Sequence, residues 1–88
     1  MCELISPLKS LRITYHMTQG EFAMLLNCAK SFLSVLENGY AKISPNVLIK
    51  LADLDVDTKM LVSQHIDFMR CKQVELTEKF YQGKNVLT

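Results

Sequence analysis

The stretch Thr18-Gln19-Gly20-Glu21 constrains this chain more than any other. A threonine whose hydroxyl can accept from the third helical N–H, with a glutamate at that third position able to reach back to the threonine N–H, is a capping box. It fixes a helix start at Gln19. Met17 before the cap and Phe22 at the fourth helical position stand where a hydrophobic staple closes. From there Phe22, Ala23 and Leu26 share one helical face, and Ala23 is small enough to let a second helix cross nearby. Asn27 ends the helix, because after glycine it is the residue best suited to left-handed dihedrals. Cys28 is expected to plug the turn into the core. A second helix starts at Lys30 with Leu33 and Leu36 inward, and Gly39 stops it. Lys30, Ser31, Ser34, Val35 and Asn38 are left pointing out.

The remaining segments read as braces for this pair. Ser6-Pro7 and Ser44-Pro45 are each an N-cap followed by a first-turn proline. After Ser6, an inward stripe of Leu8, Leu11 and Tyr15 leaves Lys9 and Arg12 for solvent. Tyr40 to Ile43 form a loop. After Ser44, Val47, Leu48, Leu51 and Ala52 make an apolar face, with Ile43 and Leu48 as a second staple. Asp53-Leu54-Asp55-Val56-Asp57 ends that helix, and Asp57 caps a fifth, with Val56 and Leu61 as its staple.

From Thr58 to about Tyr81 nothing interrupts the fifth helix, which would run roughly 35 Å at 1.5 Å per residue. Leu61, His65 and Phe68 form an inward line. Val62, Ile66, Met69, Gln73, Leu76 and Phe80 form another, spaced alternately by four and three, the stripe of a helix that packs on a partner helix. Gly83 is expected to end the helix and the tail to fray.

The segments Met-Thr-Gln-x-Glu-Phe-Ala-x-x-Leu (from Met17) and Leu-Ser-x-Leu-Glu-Asn-Gly (from Leu33) resemble the helix-turn-helix of the Cro/CI repressor family, the XRE-type domains of phage and bacteria. The resemblance covers roughly residues 8–61. It implies an all-α fold: a compact five-helix lambda-repressor-like DNA-binding domain with an extended C-terminal helix. The expected division is a helix-turn-helix domain over residues 1–68 and, over residues 69–88, a C-terminal helix extension and tail used in dimerisation. The implied function is sequence-specific DNA binding and transcription regulation of the small phage-repressor, antitoxin or controller kind.

An α-helix fits the major groove, and in helix-turn-helix proteins the second helix enters it by its amino-terminal end. By resemblance, Gln19 contacts phosphate and steadies the recognition helix. Lys30, Ser31, Ser34 and Val35 meet base edges, and Asn38 and Lys42 meet phosphates. Lys30 can donate to guanine acceptors, Ser31 can serve either base type, and Val35 or Phe32 can touch a thymine methyl. Glu37 falls where the family has a structural acid that ties the end of the recognition helix to neighbouring backbone or a basic side chain. Two features depart from the family pattern. Ala29 stands where a capping Ser or Thr is common, which forgoes about 1 kcal/mol. Phe32 and Val35 put apolar surface where long polar side chains are common. The alternative those residues carry is an antirepressor or other regulator-binding protein that uses the same fold for protein–protein interaction.

Charge and length bear on both readings. The formal net charge is only +1, with five basic and three acidic side chains in residues 1–50 against five and six in residues 51–88, so the nucleic-acid face is expected in the first half. Eighty-eight residues make one small domain that benefits from oligomerisation. A homodimer is expected through Val62, Ile66, Met69, Leu76 and Phe80. No apolar run reaches bilayer length and the amino terminus lacks a basic start followed by an apolar stretch, so a cytoplasmic, bacterial or phage-encoded protein is expected, nucleoid-associated when bound to DNA.

Catalysis and cofactors are not indicated. Ser31 and Ser34 have no His/Asp constellation. The alternating Asp53, Asp55 and Asp57 lack the glycine and distal Glu of a calcium loop and read as a solvated turn. Cys2, Cys28 and Cys71 are odd in number and not at zinc-ligand spacing, so neither a disulfide framework nor a metal site is indicated.

Overall fold

The computed structural model describes residues 4–87, with side chains through residue 84. The described chain is all-helical: α1 (Pro7–Thr14), α2 (Gln19–Leu25), α3 (Lys30–Glu37), α4 (Pro45–Asp53) and α5 (Thr58–Leu87). Helix starts follow the capping chemistry. Ser6 Oγ accepts from Lys9 N–H at 3.3 Å, Ser44 Oγ from Val47 N–H at 3.4 Å, and Asp57 Oδ1 from Met60 N–H at 3.1 Å. At α2 both halves of the box close: Thr18 Oγ1 accepts from Glu21 N–H at 3.1 Å, and Glu21 Oε1 accepts from Thr18 N–H at 2.9 Å. The α3 start, at Ala29, has no side-chain cap.

Helices α1 to α4 share one kind of ending. Each terminates in a left-handed residue, respectively His16 (φ 57°), Asn27 (56°), Gly39 (78°) and Asp55 (62°). In each, the N–H of the next residue closes a six-residue loop: Met17 onto Arg12 O, Cys28 onto Ala23 O, Tyr40 onto Val35 O, and Val56 onto Leu51 O, at 2.9–3.1 Å. These are Schellman motifs, which satisfy carbonyls that the helix end leaves open. Asn27 and Gly39 perform the roles their sequence positions suggest. His16 and Asp55 do the same work without glycine, as His and Asp tolerate this region better than most side chains.

The core is built from Leu8, Phe22, Ala23, Leu26, Leu33, Leu36, Val47, Leu51 and Leu61, with Leu11, Met17, Cys28, Phe32, Ile43 and Val56 packed around it. α2 packs on α3, α1 on α3 and α5, and α4 on α5. Several expected orientations change. Tyr15 is exposed, because α1 stops at Thr14 and the chain turns at His16, taking Tyr15 off the stripe of Leu8 and Leu11. Ala52 is exposed, lying just outside the arc set by Val47 and Leu51. Arg12 is half-buried rather than solvent-facing, for a reason given below.

On α5, Leu61, His65 and Phe68 are buried as their spacing suggests. Gly83 does not end the helix, which continues to Leu87. An added Cβ there would meet nothing within 4 Å, and an exposed interior glycine costs a helix only about 1 kcal/mol. Thirty residues at 1.5 Å each make this helix roughly 45 Å long, which accounts for the 52 Å long axis of a molecule 24 by 22 Å across. Cys2 lies outside the described residues. Cys28 is a free, half-buried thiol whose pKa burial raises, and Cys71 is disulfide-bonded, which the odd cysteine count did not indicate. No helix among the described residues is long and apolar enough to cross a membrane.

Candidate nucleic-acid interface

The candidate site is the outer face of α3 and the loop behind it, and its orientation is set by one buried acid. Glu37, in the last turn of α3, is 6% exposed. Its carboxylate receives Arg12 Nε at 2.9 Å and Arg12 Nη2 at 3.0 Å, a bidentate pair, and Gln19 Nε2 at 3.3 Å. The remaining Arg12 nitrogen, Nη1, donates to Met17 O at 3.0 Å. One guanidinium therefore joins α1, the α1–α2 linker and the end of α3, while Gln19 ties in the first residue of α2. The hydrogen bond from Arg12 to Glu37 raises the guanidinium pKa, with the charge of Glu37 adding to it, against an opposing effect of desolvation. This places the structural acid where the family resemblance implies it. The sequence had no local signal for Arg12 as its partner, since the two are brought together only by packing.

Within this frame Lys30 and Ser31 are exposed at the amino-terminal end of α3, Val35 is 38% exposed and Ser34 half-buried one turn on. Asn38 is exposed and donates from Nδ2 to Ser34 O at 2.8 Å. Lys42 is exposed in the loop after α3. Phe32 is half-buried against the core, so of the two apolar residues assigned to DNA contact Val35 is the one presented to solvent. Gln19 is half-buried at the start of α2, its amide nitrogen turned to Glu37. Neither Lys30 nor Lys42 enters an ion pair; among the described residues those are Arg12–Glu37 and Lys72–Glu75. Tyr40, which sequence reasoning left as a loop residue, is exposed two positions before Lys42.

Of the five α5 positions assigned to dimerisation, Ile66, Met69, Leu76 and Phe80 line a single groove of about 590 Å³, closed on its other side by Gly39, Tyr40 and Lys42. Val62, half-buried, does not line it. Leu76 and Phe80 are exposed on the part of α5 that runs past the small domain.

A helix pair with a Schellman turn at Asn27, the second helix presenting the unpaired cation Lys30 and locked by a buried acid, defines a helix-turn-helix protein of lambda-repressor-like fold. A family model described as helix-turn-helix, HTH_3, matches residues 8–54. The chain belongs to that family, the XRE-type helix-turn-helix domains of DNA-binding transcription regulators. No curated protein and no solved structure matches the chain.

Proposed function

We propose that the protein is a sequence-specific, operator-binding regulator, not an enzyme, that works as a homodimer in the cytoplasm and reads DNA through α3. The observation that carries this is the unpaired, exposed state of Lys30, at the amino-terminal end of a recognition helix whose direction is fixed by Glu37, and of Lys42 in the loop that follows it. α3 enters the major groove by its amino-terminal end, with Lys30, Ser31, Ser34 and Val35 toward base edges. Lys42 and Asn38 contact phosphate, and Phe32 supports the helix from behind. Gln19 reaches phosphate from the start of α2 while its amide is steadied by Glu37.

The same reading assigns residues 1–68 to DNA recognition and residues 69–88 to dimerisation. The exposed apolar residues Leu76 and Phe80, in one groove with Ile66 and Met69, support a second copy as the occupant. Two such domains fit a palindromic operator whose half-sites lie about 34 Å apart, or a multiple of that.

Selection from random duplex DNA, followed by a salt titration on the selected site, tests the function. The expected result is one enriched palindrome and a slope of log affinity against log salt near −0.9 per phosphate contact. Absence of any enriched sequence at low salt sinks the proposal.

A further inference from the structure

His65 is the buried polar group that the DNA-reading scheme leaves without a task. It lies on α5, 2% exposed, and its Nε2 stands 2.8 Å from Ala41 O, across 24 residues of chain. A carbonyl only accepts, so Nε2 carries the hydrogen, and the buried Nδ1 has no partner. Ala41 sits between Tyr40 and Lys42. Among the described residues this is the one hydrogen bond made to the backbone of residues 41–43. The same stretch of α5 receives the loop from its other end. Gly39 lies so close that an added Cβ would fall 2.9 Å from the Phe68 ring and 3.0 Å from Lys72 Cγ. The His65 and Phe68 rings lie 6.5 Å apart, centroid to centroid, and Lys72 Nζ stands 5.9 Å from the Phe68 centroid.

We infer that His65 is a positioning residue for DNA binding: by donating to Ala41 O it fixes the loop that presents Tyr40 and Lys42, so that operator affinity depends on a side chain of α5 that itself touches no DNA. The inference rests on the proposed DNA-binding reading and extends it. Ala41 and Ile43 pack against the core and hold the loop down, but apolar contact does not fix the rotation of a peptide plane. A directional hydrogen bond does. With Ala41 O held, the direction in which the chain delivers the Lys42 side chain is held too. The Lys42 contact then forms without ordering the loop at the moment of binding, which is where pre-organisation contributes affinity.

The test uses the full chain and three substitutions. His65→Gln keeps an amide N–H at the reach of Nε2; His65→Asn withdraws it toward Nδ1; His65→Leu removes it. The first readout needs no DNA: backbone ¹⁵N order parameters at residues 41–43 should fall in the Asn and Leu variants and stay near the parent in Gln, because the bond to Ala41 O restrains this stretch of backbone. The second is affinity for the selected operator, crossed with Lys42→Ala and Lys30→Ala. Asn or Leu at 65 should weaken binding about five- to tenfold on all sequences alike and reduce the salt slope by about one. Lys42→Ala should then cost less than twofold in those backgrounds, while Lys30→Ala costs its full factor. His65→Gln should restore both. Should His65→Leu not fold, the Gln and Asn pair carries the same comparison. Unchanged order parameters at residues 41–43, or an equal Lys42→Ala cost in every background, overturns the positioning role. A parent protein that binds no duplex at all refutes the DNA-binding reading instead, a result distinct from either.

Discussion

Arg12 grips Glu37 with two nitrogens, Nε at 2.9 Å and Nη2 at 3.0 Å, and so bolts α1 to the last turn of the recognition helix. Both side chains are largely withdrawn from water, at 14% and 4% exposure. A pair in this setting repays its desolvation only while both partners are present. Arg12→Met should therefore cost about 3 to 5 kcal/mol, since it leaves a buried carboxylate with the Gln19 amide alone. Arg12→Lys should recover little, because a lysine cannot reproduce the fork that also serves Met17 O. Replacing both, Arg12→Met with Glu37→Leu, should be less destabilising than Arg12→Met alone. Urea melts of these three variants and of Glu37→Leu alone check the order; a double variant as unstable as the sum of the two singles would mean the pair is not the coupling element.

The capping box supplies a pH dependence. Hydrogen bonds from the Thr18 backbone, and then from its side chain, hold the Glu21 carboxyl below the usual range. A depressed folded-state pKa means stabilisation that is present above the unfolded-state pKa and is lost as pH falls through the folded one. Thermal melts from neutral to acid pH should show the parent losing its advantage over Glu21→Gln across the acid side of the ordinary carboxylate range. The two should converge at the lowest pH. A gap independent of pH would remove the Glu21 charge from the account.

Backbone geometry at Asn27 makes an equally direct prediction. With φ at 56°, a β-branched residue is strained, whereas glycine is not. Asn27→Val should destabilise by about 1 to 2 kcal/mol, and Asn27→Gly should stay within a few tenths of the parent. Ala23 is 3% exposed on the α2 face that meets α3, and Ala23→Leu should overpack it at about 1 to 3 kcal/mol. Chemical denaturation midpoints report all three. Parent-like values for Asn27→Val and Ala23→Leu would contradict the packing of the two motif helices.

These particular residues also show what was legible in the sequence. Caps at Ser6, Thr18, Ser44 and Asp57, and the stops at Asn27 and Gly39, are written within windows of a few residues, because each is a contact between a side chain or a backbone dihedral and its own neighbourhood. The inward line of Leu61, His65 and Phe68 is equally local in origin. Arg12 reads as solvent-facing in such a window, since its partner lies 25 residues away. Tyr15 belongs to the stripe only if α1 continues past Thr14, and the His16 turn that stops it is not spelled by glycine or asparagine. Gly83 reads as a stop, yet α5 continues through it because nothing in the surrounding sequence supplies a competing turn. Of the interface, the family resemblance gave the residue set, but that Phe32 faces the core and that His65 reaches Ala41 follow only from packing.

On DNA, the two lysines should behave differently. Lys30, at the amino-terminal end of α3, is assigned to guanine acceptors, so Lys30→Ala should cost about 1 to 3 kcal/mol on the preferred site and relax sequence preference there. Lys42 is assigned to phosphate, so Lys42→Ala should weaken all sequences alike and lower the salt slope by about one. Titrations against the selected operator and a scrambled duplex at several salt concentrations separate the two roles. If both substitutions affect both duplexes equally, α3 is not reading bases through Lys30.

The long helix makes the final prediction. The part of α5 beyond Lys72 leaves Val74, Leu76, Phe80 and Tyr81 exposed, Phe80 at 68%, although each large apolar side chain gains about 1.5 to 3 kcal/mol when fully buried. A second copy laid along the groove of Ile66, Met69, Leu76 and Phe80 would cover Leu76, Phe80 and Tyr81, which line it. Gln73, exposed within the same stripe, is the polar residue that can fix the register of two such helices at some cost in stability. Light scattering at micromolar concentration in the presence of reductant, which excludes a cross-linked dimer, should give twice the 10.1 kDa chain mass. Leu76→Lys with Phe80→Lys should give the single-chain mass with an unchanged helical spectrum, because neither residue belongs to the core of the domain. Operator affinity should fall together with the dimer, since one domain makes too few contacts for tight specific binding. A parent chain that scatters as a monomer refutes this interface, and a doubly substituted chain that still dimerises moves it elsewhere on the molecule.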